Sequence, residues 1–489
     1  MLEGLEICIL MKSELEFENY TKRIDSEYFQ KYYLKNIEKI KKKGFTRLKD
    51  NVEYLSGGAT PLGAEYENEG IPFLRVQNIM QNYFNLNDVV YINKKQDEEI
   101  KRTRLKERDV LLTITGVSFG KSAVVPKELS NANINQHSVK ITLDKNLNPY
   151  FLSTFLNCSF GKLQSDKNVV GVTRPALDYD VIKNFNIPKV QFYFQNKIEE
   201  LINKSTQITK NFQLLYSQAE EILFQEIGLD ATTNPVRVQN SDRVENQNVN
   251  IKSFKDSFGT TGRLDAEYYQ KKYENIIEKI KEQKYDTLKS IVSINKSIEP
   301  GSNYYSNDEA GLPFMRISDF SKFGLTEPNK RLTLDFVKDN QDKIDELMPA
   351  KKTILFSKDG TVGIAHQLRE DFNGVTSSAI LHLKVKNEKE ILPEYLTLTL
   401  NSKLIQMQAE RDAGGSIIQH WRKEEIENVV VPIIDYKKQK EIAQLIEESF
   451  SLKKQSEHLL EVAKRAVEIA IEENEEVAMR FIEEQLNIN

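Results

Sequence analysis

Cysteine is scarce in this sequence. The 489 residues include only two, Cys8 and Cys158, which lie far apart in unrelated surroundings. Two such residues exclude a disulfide framework and a zinc site built on cysteines. The composition fits a reducing compartment, so we expect a cytoplasmic protein.

Long apolar runs are also missing. The longest stretches, such as Ile7 to Leu10, fall far below the roughly 18 residues that a membrane span needs. No basic segment followed by an apolar one opens the chain, so no secretory signal is visible. With 39% hydrophobic and 29% charged residues, the chain has the composition of a globular protein, and its length predicts two or more domains.

Motifs of catalysis and metal binding do not occur. There is no H-E-x-x-H or G-x-S-x-G motif, and the five histidines form no i, i+4 pair and have no cysteine partners. No Pro-Pro pair exists, which excludes the D/N-P-P-Y/F tetrapeptide of amino-methylating enzymes. An F-x-G-x-G turn that holds S-adenosylmethionine is missing too. We therefore expect no catalytic site, no metal site and no cofactor bound by this chain.

What the sequence does contain is a long internal repeat. Four segments recur in the same order, at an offset that stays between 240 residues (263 − 23) and 244 residues (432 − 188). The recurring segments are Arg23–Lys31 with Arg263–Lys271, Gly70–Arg75 with Gly311–Arg316, Ile187-Pro188 with Val431-Pro432, and Gln195–Ile202 with Gln439–Ile446. Ordered matches at a nearly constant offset indicate a duplication.

Each copy follows one plan. A short helix opens it, with Asp25 or Asp265 as N-cap or first-turn acid. A mixed region follows, in which β-branched runs between glycine, proline and asparagine predict strands joined by long loops. The clearest runs are Val110 to Thr115, Val139 to Leu143 and Ile380 to Val385. A long helix closes each copy, and the polar stretch from Gly228 to Asn250 is interpreted as the linker.

The closing helices carry apolar residues at heptad spacing, which favours a coiled coil. The predicted seams are Ile198, Leu201, Ser205, Ile208, Phe212, Leu215, Ala219 and Ile222 in the first helix, and Ile442, Leu445, Ser449, Leu452, Ser456, Leu459, Ala463 and Ala466 in the second. A helix from Gln195 to Ile227 is roughly 50 Å long, longer than a small domain requires. A pair of such helices would serve as a spacer, and the alternative is that each helix covers only its own domain.

One segment is close to a phosphate-binding loop. Gly116-Val-Ser-Phe-Gly120-Lys121-Ser122 follows an apolar strand, but three residues separate its glycines where that loop needs four. The repeat of this segment, Asp359–Ile364, lacks the Lys-Ser pair. A turn that presents polar groups to DNA explains both copies better than a nucleotide site.

Taken in order, these segments resemble the specificity subunit of Type I restriction–modification systems over nearly the whole chain. The resemblance rests on the strands G-[IL]-P-F-[LM]-R, the turns Gly116–Gly120 and Asp359–Gly363, the pairs Gln136-His137 and Ser377-Ser378, the segments Gly171–Arg174 and Gly415–Ile418, and the Ile-Pro or Val-Pro step before each long helix. The opening Arg-Leu-Asp-Ala-Glu-Tyr-Tyr is also similar to specificity units of Type IIB/IIG-like systems. The helix starts, Pro188–Gln195 and Pro432–Gln439, depart from the Pro-Pro-x-x-Glu-Gln usual in the family.

The resemblance implies an α+β fold: two tandem target recognition domains separated by an antiparallel coiled coil of the two long helices, as a pseudo-twofold internal repeat. The domains are expected at 1–190 and 253–435, the spacer helices at 191–228 and 436–489, and the linker at 229–252. The implied function is recognition of a bipartite, asymmetric site in double-stranded DNA, without catalysis by this chain. The implied partners are two methyltransferase (modification) subunits, which hold S-adenosylmethionine, and restriction or motor subunits or a fused nuclease–methyltransferase, with no membrane.

Such a reader needs Lys and Arg for phosphates and polar loop residues for base edges. The predicted DNA-binding residues are Arg75, Gln77, Asn78, Ser118, Lys121, Gln136, His137, Thr173 and Arg174 in the first copy, and Arg316, Ser318, Lys358, Thr361, Ser377, Ser378, Gln419 and Arg422 in the second. Arg75 and Arg316 are equivalent, which favours a phosphate contact or an internal ion pair over base reading. Whether His420 and Trp421 pack or stack stays open. Tyr28 and Tyr268 are assigned to helix packing or a partner.

Two rival functions stay open. The chain is also compatible with a duplicated scaffold that bridges two partner proteins without DNA, and, less well, with an enzyme that has an unfamiliar active site. The basic run Lys101–Arg108 is either a nucleic-acid patch or a solvated face. The net charge of −5 does not decide between them, because phosphate binding depends on local clustering.

Overall fold

The computed structural model describes residues 9–16, 19–63, 65–116, 119–170, 176–229, 249–415 and 418–487. Most of the predicted linker, 230–248, lies outside the described residues. The chain divides into two compact units. Unit 1 is Met1–Lys210 with Lys453–Asn489, and unit 2 is Asn211–Leu452. The division falls within the two long helices, whereas the sequence predicted separate spacer segments at 191–228 and 436–489.

The described α-helices are α1 Lys12–Glu16, α2 Lys31–Lys43, α3 Lys94–Glu99, α4 Pro149–Asn157, α5 Ser159–Asn168, α6 Tyr179–Lys183, α7 Phe192–Glu226, α8 Phe258–Thr261, α9 Lys271–Lys281, α10 Leu288–Ile291, α11 Leu334–Asp339, α12 Gln341–Leu347, α13 Pro393–Asn401, α14 Lys403–Asp412, α15 Lys423–Glu427, α16 Tyr436–Glu472 and α17 Glu475–Asn487. The two long helices that the sequence predicted are α7 and α16.

The described strands of unit 1 are β1 Phe45–Arg47, β2 Val52–Gly57, β3 Ile71–Leu74, β4 Val90–Ile92, β5 Val110–Thr113, β6 Ser122–Val124, β7 Asn133–Ile134, β8 Ser138–Leu143 and β9 Asn186–Pro188. Those of unit 2 are β10 Tyr285–Thr287, β11 Val292–Lys296, β12 Tyr305–Ser306, β13 Leu312–Met315, β14 Phe320–Ser321, β15 Gly324–Leu325, β16 Arg331–Leu332, β17 Ile354–Ser357, β18 Asp359–Gly360, β19 Ala365–Gln367, β20 Val375–Thr376, β21 Ile380–Val385, β22 Gln419–His420 and β23 Val430–Pro432. The three predicted apolar runs are confirmed as β5, β8 and β21.

Unit 1 contains two main sheets. The first is antiparallel, with strand order β2-β8-β5-β6. In the second, β3 lies between β4, which is antiparallel to it, and β7, which is parallel to it. A small ribbon pairs β1 with β9, the strand before the long helix.

Unit 2 repeats this topology strand for strand. Its first sheet has the order β11-β21-β17-β19, and in its second sheet β13 lies between antiparallel β16 and parallel β20. The ribbon β10-β23 corresponds to β1-β9. Three pairings of unit 2 are single bridges in unit 1: β12 with β16 corresponds to Glu67–Tyr91, β14 with β15 to Ile79–Phe84, and β18 with β22 to Thr115–Ala176. The duplication that the sequence predicts is therefore present in the fold of each unit.

The helix that packs on the antiparallel sheet of each unit begins with a proline. Asn148 caps α4 by accepting a hydrogen bond from the Tyr150 backbone at 2.9 Å, and Pro149 occupies the first helical position. Pro393 begins α13 in the same way. Phe151 and Tyr395, two residues further on, are fully buried in the respective cores.

Each core is completed by residues from both long helices. In unit 1, Ile198 and Leu201 of α7 belong to one cluster with Ala463 and Ala466 of α16. In unit 2, Leu223 of α7 belongs to the cluster that includes Ile442 and Ile446 of α16. Burial of each large aliphatic side chain contributes roughly 1.5–3 kcal/mol, which ties both helices to the sheets.

The predicted seam residues all lie inward. Of the sixteen positions named from the heptads, Ile198, Leu201, Ser205, Phe212, Ala219, Ile442, Ser449, Ser456, Leu459, Ala463 and Ala466 are buried, and Ile208, Leu215, Ile222, Leu445 and Leu452 are half-buried. Within unit 1 the Ser205 and Ser456 hydroxyls are 2.8 Å apart. Within unit 2 the rings of Phe212 and Phe450 are in edge contact at 6.3 Å.

A glutamine fixes each long helix near its start. Gln195 accepts a hydrogen bond from the Asn148 backbone at 2.9 Å and donates one to the Val190 carbonyl at 3.1 Å. Gln439 accepts from the Leu392 backbone at 3.0 Å and donates to the Ile434 carbonyl at 3.0 Å. Both glutamines are buried, so these bonds satisfy amide groups that would otherwise be costly to bury.

Two details differ from the sequence prediction. Asp25 does not cap the opening helix, because α2 begins later, with Gln30 before it, and Asp25 instead accepts from the Tyr28 backbone at 3.1 Å in the preceding turn. The segment 436–489 contains two helices, because Asn474 starts α17 by accepting from the Val477 backbone at 3.0 Å. In the described part of the chain, no helix is both long and apolar enough to span a membrane.

Candidate nucleic-acid interface

In unit 1 three chain segments converge where neighbouring strands end. β3 and β7 run parallel, with Leu74 opposite Ile134, so the residues that follow both strands leave the sheet at the same edge. The Asn135 backbone donates to the Leu74 carbonyl at 3.2 Å, and the Ile114 backbone donates to the His137 carbonyl at 2.9 Å. These contacts bring together residues 75–78, 115–116, 119–121 and 135–137, named loop cluster 1 below.

His137 and Gln136 lie on the exposed side of loop cluster 1. The His137 Nδ1 atom is 2.7 Å from the Thr115 hydroxyl, which orients the imidazole. Thr60, from the loop after β2, donates a hydrogen bond to the Gln136 amide oxygen. Both side chains remain exposed. They have the chemistry of base-edge contacts.

The residues after β3 are used mainly within unit 1. Arg75 donates to the Asp88 carbonyl at 2.6 Å and lies 3.5 Å from its carboxylate. Asn78 is fully buried; its oxygen accepts from the Arg75 backbone at 2.9 Å and its nitrogen donates to Asp88 at 2.8 Å. Gln77 is exposed and also donates to Asp88. The structure thus gives Asn78 a structural role in the turn, in place of the surface position that the sequence predicted.

Lys121 is the second basic residue of loop cluster 1, after Arg75. Its backbone donates to the Thr113 hydroxyl at 2.9 Å, and its side chain is half-buried, with Nζ 3.9 Å from the sulfur of Met80. Burial lowers the pKa of the Lys121 ammonium. The other predicted residues of this copy, Ser118, Thr173 and Arg174, lie outside the described residues.

Unit 2 builds its site from the same strand ends. β13 and β20 are parallel, with Met315 opposite Thr376, and the Ser377 backbone donates to the Met315 carbonyl at 2.8 Å. The Lys358 backbone, after β17, donates to the Ala379 carbonyl at 2.9 Å. Strand β22 adds Gln419 opposite Gly360. Residues 316–319, 358–361, 377–378 and 419–420 are named loop cluster 2.

Arg316 and Ser318 both contact Asp319. The Arg316 backbone donates to the Asp319 carboxylate at 2.8 Å, its guanidinium Nε lies 3.9 Å from the same oxygen, and the Ser318 hydroxyl donates at 3.0 Å. Asp319 is buried and takes the place that Asn78 has in unit 1. Arg75 and Arg316 therefore both have internal acidic partners, one of the alternatives that their equivalence favoured.

Loop cluster 2 contains more acidic groups than loop cluster 1. Lys358 forms an ion pair with Asp359, which also accepts from His420 Nδ1 at 2.9 Å. Ser378 donates to Glu299 at 2.8 Å. These carboxylates disfavour close phosphates and are suited to accept from an exocyclic amine such as cytosine N4.

The remaining predicted DNA-binding residues of unit 2 differ in how far their side chains are exposed. Thr361, Gln419 and Arg422 are exposed, although Arg422 donates to Glu425 at 3.0 Å, as the N-cap residue of α15. Ser377 is buried, which departs from the surface position that the sequence predicted. Trp421 is 1% exposed and packs 5.8 Å from the Phe356 ring, so this tryptophan belongs to the core.

The basic run 101–108 is largely paired within unit 1. Arg104 binds Asp97 at 2.6 Å, and the hydrogen bond from its guanidinium lowers the pKa of the Asp97 carboxyl. Arg108 pairs with Glu199 at 2.5 Å, and Arg102 donates to the Gly57 carbonyl at 2.8 Å. The structure favours the solvated, ion-paired interpretation of this run over a phosphate-binding patch.

Sequence reasoning missed three side chains beside the clusters. Thr60 and Glu299 come from the loops after β2 and β11, and Asn135 orients the turn before His137 by accepting from its backbone at 3.2 Å. The one available signal was Pro61 and Pro300, which mark a loop at the same place in both copies. Over the described residues, no group of three or more His, Cys, Asp or Glu side chains could hold a metal ion.

Two units of one strand order, each with polar loops at the ends of the same paired strands, define a duplicated α+β protein. The chain belongs to the family described as Type I restriction modification DNA specificity domain, which matches residues 39–211 and 265–462. The resemblance inferred from the sequence motifs is confirmed by this match.

Individual relatives are distant. The chain is 26% identical to the Type I restriction enzyme EcoBI specificity subunit of Escherichia coli over 147 residues, which is 29% of this chain and 31% of that protein. The match thus spans about a third of the length of this curated relative.

Two solved structures cover most of the chain. The S subunit of the Type I restriction–modification system from M. genitalium gives a TM-score of 0.41 at 12% identity, covering 88% of this chain and 94% of that one. The HsdS subunit from Thermoanaerobacter tengcongensis gives 0.28 at 12% identity, covering 88% and 96%. Scores of this size carry no argument about the fold.

Proposed function

We propose that this chain is the DNA sequence-recognition subunit of a restriction–modification complex, in which unit 1 reads one block of a split, asymmetric site and unit 2 reads the other. Membership of the specificity family supports the assignment. The observation that carries it is the repeated strand-end geometry: β3 with β7 and β13 with β20 present loops at the same place in both units. One scaffold holds two different sets of polar side chains, as two different half-sites require.

Division of labour within each loop cluster follows from exposure and charge. Lys121 and Arg422 are assigned to phosphates, because Lys121 is the half-buried ammonium of loop cluster 1 and Arg422 is an exposed guanidinium two residues after His420. Gln136, His137 and Gln419 are suited to base edges, because their exposed side chains offer both donors and acceptors. Arg75 and Arg316 hold their turns in place through Asp88 and Asp319.

The long helices are assigned the role of a spacer. We propose that α7 and α16 form an antiparallel coiled coil about a pseudo-twofold axis and set the gap between the two blocks. Support comes from the seam residues, which are buried or half-buried in each unit, and from the Ser205–Ser456 contact inside unit 1. Small residues at such positions allow close helix approach.

In this proposal DNA methylation and cleavage are carried out by partner subunits. Two methyltransferase subunits would carry S-adenosylmethionine and modify the DNA, and restriction subunits or a fused nuclease–methyltransferase would complete the complex. This part of the proposal rests on the family and on the lack of catalytic motifs in the sequence. A cytoplasmic location stays a prediction of the cysteine content.

The deciding experiment is methylation mapping of the host genome with and without this chain. The methylated motif that disappears on deletion is expected to contain two short blocks and a constant gap. The complex, purified from the host through a tag on this chain, should enrich the same motif from a random duplex library. If no motif depends on the chain and the library yields no two-block consensus, the scaffold function becomes the better assignment.

Single substitutions connect each block with its unit. Gln136→Ala is expected to relax letters of one block and Gln419→Ala letters of the other, each at a cost of about 1–3 kcal/mol in discrimination. Gln283→Ala is the matched control, because Gln283 is an exposed glutamine between α9 and β10, apart from loop cluster 2. Relaxation of the same block by both loop variants would contradict the division between units.

Helix length tests the spacer. Residues 204–210 and 446–452 are duplicated together, so that each long helix gains one heptad and keeps its apolar seam. Seven residues add about 10 Å of helix, so the gap is expected to lengthen by no more than about three base pairs. The letters of both blocks should stay unchanged. A change of letters at constant gap would remove the spacer role.

A further inference from the structure

The repeated Arg-x-Asp-x-x-Tyr segment forms the same contact network in both units, away from the exposed loop residues. In unit 1, Arg23 binds both oxygens of Asp25, at 2.7 and 2.6 Å. Its remaining amino group, Nη1, donates to the Val169 carbonyl at 3.0 Å. The guanidinium also lies 5.5 Å from the centre of the Tyr28 ring. Asp25 thus holds the guanidinium so that Nη1 points at the backbone.

Unit 2 repeats this network with different neighbours. Arg263 binds both oxygens of Asp265, at 2.8 and 2.6 Å, and its Nη1 donates to the Asp412 carbonyl at 3.2 Å. The guanidinium lies 4.5 Å from the centre of the Tyr268 ring. The same three side chains therefore make the same three kinds of contact in each copy.

Both carbonyls lie at the carboxyl end of a helix. Asp412 is the last residue of α14, and Val169 directly follows α5. Carbonyls at this end lack partners within the helix and carry partial negative charge, so a guanidinium is a favourable partner. The hydrogen bond from Arg23 lowers the pKa of the Asp25 carboxyl to about 2, as expected for an ionised carboxylate paired with a guanidinium. The Arg23 and Arg263 guanidiniums therefore each contact the end of a helix.

A short backbone bridge follows each helix end. Val170 pairs with Ala176 through hydrogen bonds of 3.0 and 2.9 Å, and Gly414 pairs with His420 through bonds of 3.0 and 2.7 Å. Ala176 then pairs with Thr115, the residue whose hydroxyl contacts His137. His420 pairs with Asp359, next to the pair of Gln419 and Gly360. Each network thus leads, through one bridge, into its loop cluster.

A second cation supports each tyrosine from the helix side. Lys167 donates to the Tyr28 carbonyl at 2.9 Å and lies over the Tyr28 ring. Arg411 occupies the equivalent place, 5.1 Å from the centre of the Tyr268 ring. In both units two basic side chains therefore contact the tyrosine ring, one from the Arg-x-Asp-x-x-Tyr segment and one from the helix end.

We propose that Arg23 and Arg263 are positioning residues for DNA reading: each fixes the helix end from which the bridge at Val170 or Gly414 enters its loop cluster. This inference rests on the proposed function. Direct contact with DNA is a poor alternative for Arg23, because Nε, Nη1 and Nη2 are all engaged and the side chain is only 22% exposed.

The experiment uses the full chain in the complex purified from its host. Binding is measured to duplexes with both blocks intact, with block one scrambled, and with block two scrambled. Arg23→Ala is expected to reduce the preference for the intact block of unit 1 by about tenfold and to leave the other block within about twofold. Arg263→Ala is expected to give the mirror result, so that each variant is the control for the other.

Milder variants separate positioning from loss of folding. Arg23→Lys keeps a cation near the Val169 carbonyl but loses the fork that binds Asp25, so it should recover part of the preference. Asp25→Asn should fall between Arg23→Lys and Arg23→Ala. Hydrogen exchange in β5 and β8 reports whether unit 1 remains folded in each variant. If Arg23→Ala does not fold, the two milder variants decide.

The outcomes are distinct. A block-specific loss, with partial recovery by lysine, supports the inference. An unchanged preference at both blocks in a folded variant, or an equal loss at both, overturns it. If the unmodified complex prefers neither intact block, the proposed function itself fails, independently of the Arg23 and Arg263 variants.

Discussion

Unit 1 and unit 2 share their strand order but differ in the turn that follows β3 in unit 1 and β13 in unit 2. In unit 1 this turn is compact and polar: buried Asn82 accepts hydrogen bonds from Ser153 at 2.8 Å and Asn157 at 3.0 Å. In unit 2 the same place carries the hairpin β14-β15, and Phe323 packs against Phe212 at 5.3 Å. Hydrogen bonds to Asn82 hold this turn in unit 1, and aromatic contacts of Phe323 hold it in unit 2.

The difference indicates which parts of the scaffold are free to vary. Residues that set strand ends and helix ends, such as Gln195 and Gln439, make the same bonds in both units. The turns after β3 and β13 differ in chemistry: Asn82 is a buried amide, whereas Phe323 is a half-buried aromatic ring. The two copies therefore share the hydrogen bonds that position their strands and helices. Their side chains differ most in the turns and loops that follow the strands.

The largest expected effect tests whether each unit has its own core. Phe151→Ala and Tyr395→Ala each remove a fully buried ring at equivalent positions of α4 and α13. Each should lower the free energy of unfolding of its own unit by about 3–5 kcal/mol. Hydrogen exchange measures this, with β5 and β8 as reporters of unit 1 and β17 and β21 of unit 2. An equal loss in both units would contradict separate cores.

A smaller effect concerns the turn that differs. Phe323→Ala removes a half-buried ring that also contacts Tyr216 at 5.1 Å, and should cost unit 2 about 2 kcal/mol. Gln81→Ala in unit 1 removes only an exposed bond from Lys464 and should cost less than about 0.5 kcal/mol. Urea unfolding of both variants compares them. Similar costs would mean that the hairpin adds no apolar anchoring.

The third prediction uses the cation beside each tyrosine. Burial lowers the pKa of the Lys167 ammonium to about 7; the Arg23 cation lowers it further, and the Asp25 carboxylate opposes the shift. Above pH 7 and up to about 10 the unfolded chain then binds more protons than the folded chain, so stability rises with pH. The slope is at most about 1.4 kcal/mol per pH unit.

Unit 2 carries Arg411 at the equivalent position, which stays charged throughout this range. Lys167→Arg should therefore remove the pH dependence that the wild-type chain shows in unit 1 between pH 7 and 10, while unit 2 stays unaffected. Thermal unfolding at stepped pH, compared between the wild-type chain and Lys167→Arg, measures the difference. Identical pH profiles would show that Lys167 keeps its proton in the folded chain.

The last comparison concerns a single hydroxyl. Tyr395 donates to the Pro432 carbonyl at 2.8 Å, whereas Phe151 makes no such bond. Tyr395→Phe gives unit 2 the ring chemistry of unit 1 and should cost about 1 kcal/mol, the net worth of one buried hydrogen bond. The midpoint of denaturant unfolding reports it. A cost near that of Tyr395→Ala would mean that the hydroxyl, and not the ring, stabilises this site.

Much of the fold was predictable because it is set by local patterns. The apolar runs that became β5, β8 and β21, the two long helices and the duplication all leave periodic or repeated signals in the sequence. The extra helix α17 was missed, because Asn474 acts as an N-cap inside a continuously polar, helix-favouring stretch. The pairing β18-β22 was missed because strands of two residues leave no pattern.

The site was less predictable than the fold. The sequence places Gln77 and Asn78 side by side after a strand, and only the turn geometry decides that Gln77 is exposed and Asn78 is buried. The bond from Arg23 to Val169 joins positions 146 residues apart, a separation at which sequence patterns carry no signal. The internal repeat shows that Arg23 and Arg263 are equivalent, but it does not predict which residues they contact.

Synthesis of the chain has to accommodate the way unit 1 is assembled from both ends. Its cluster of buried residues includes Ala463 and Ile482, which leave the ribosome long after Leu201. At about 5–20 residues per second, unit 1 waits tens of seconds for its last helices, while unit 2, a continuous stretch, has all of its residues first. The hydrophobic core of unit 1 is therefore incomplete until the end of synthesis, because Ala463 and Ile482 are missing from it in that interval.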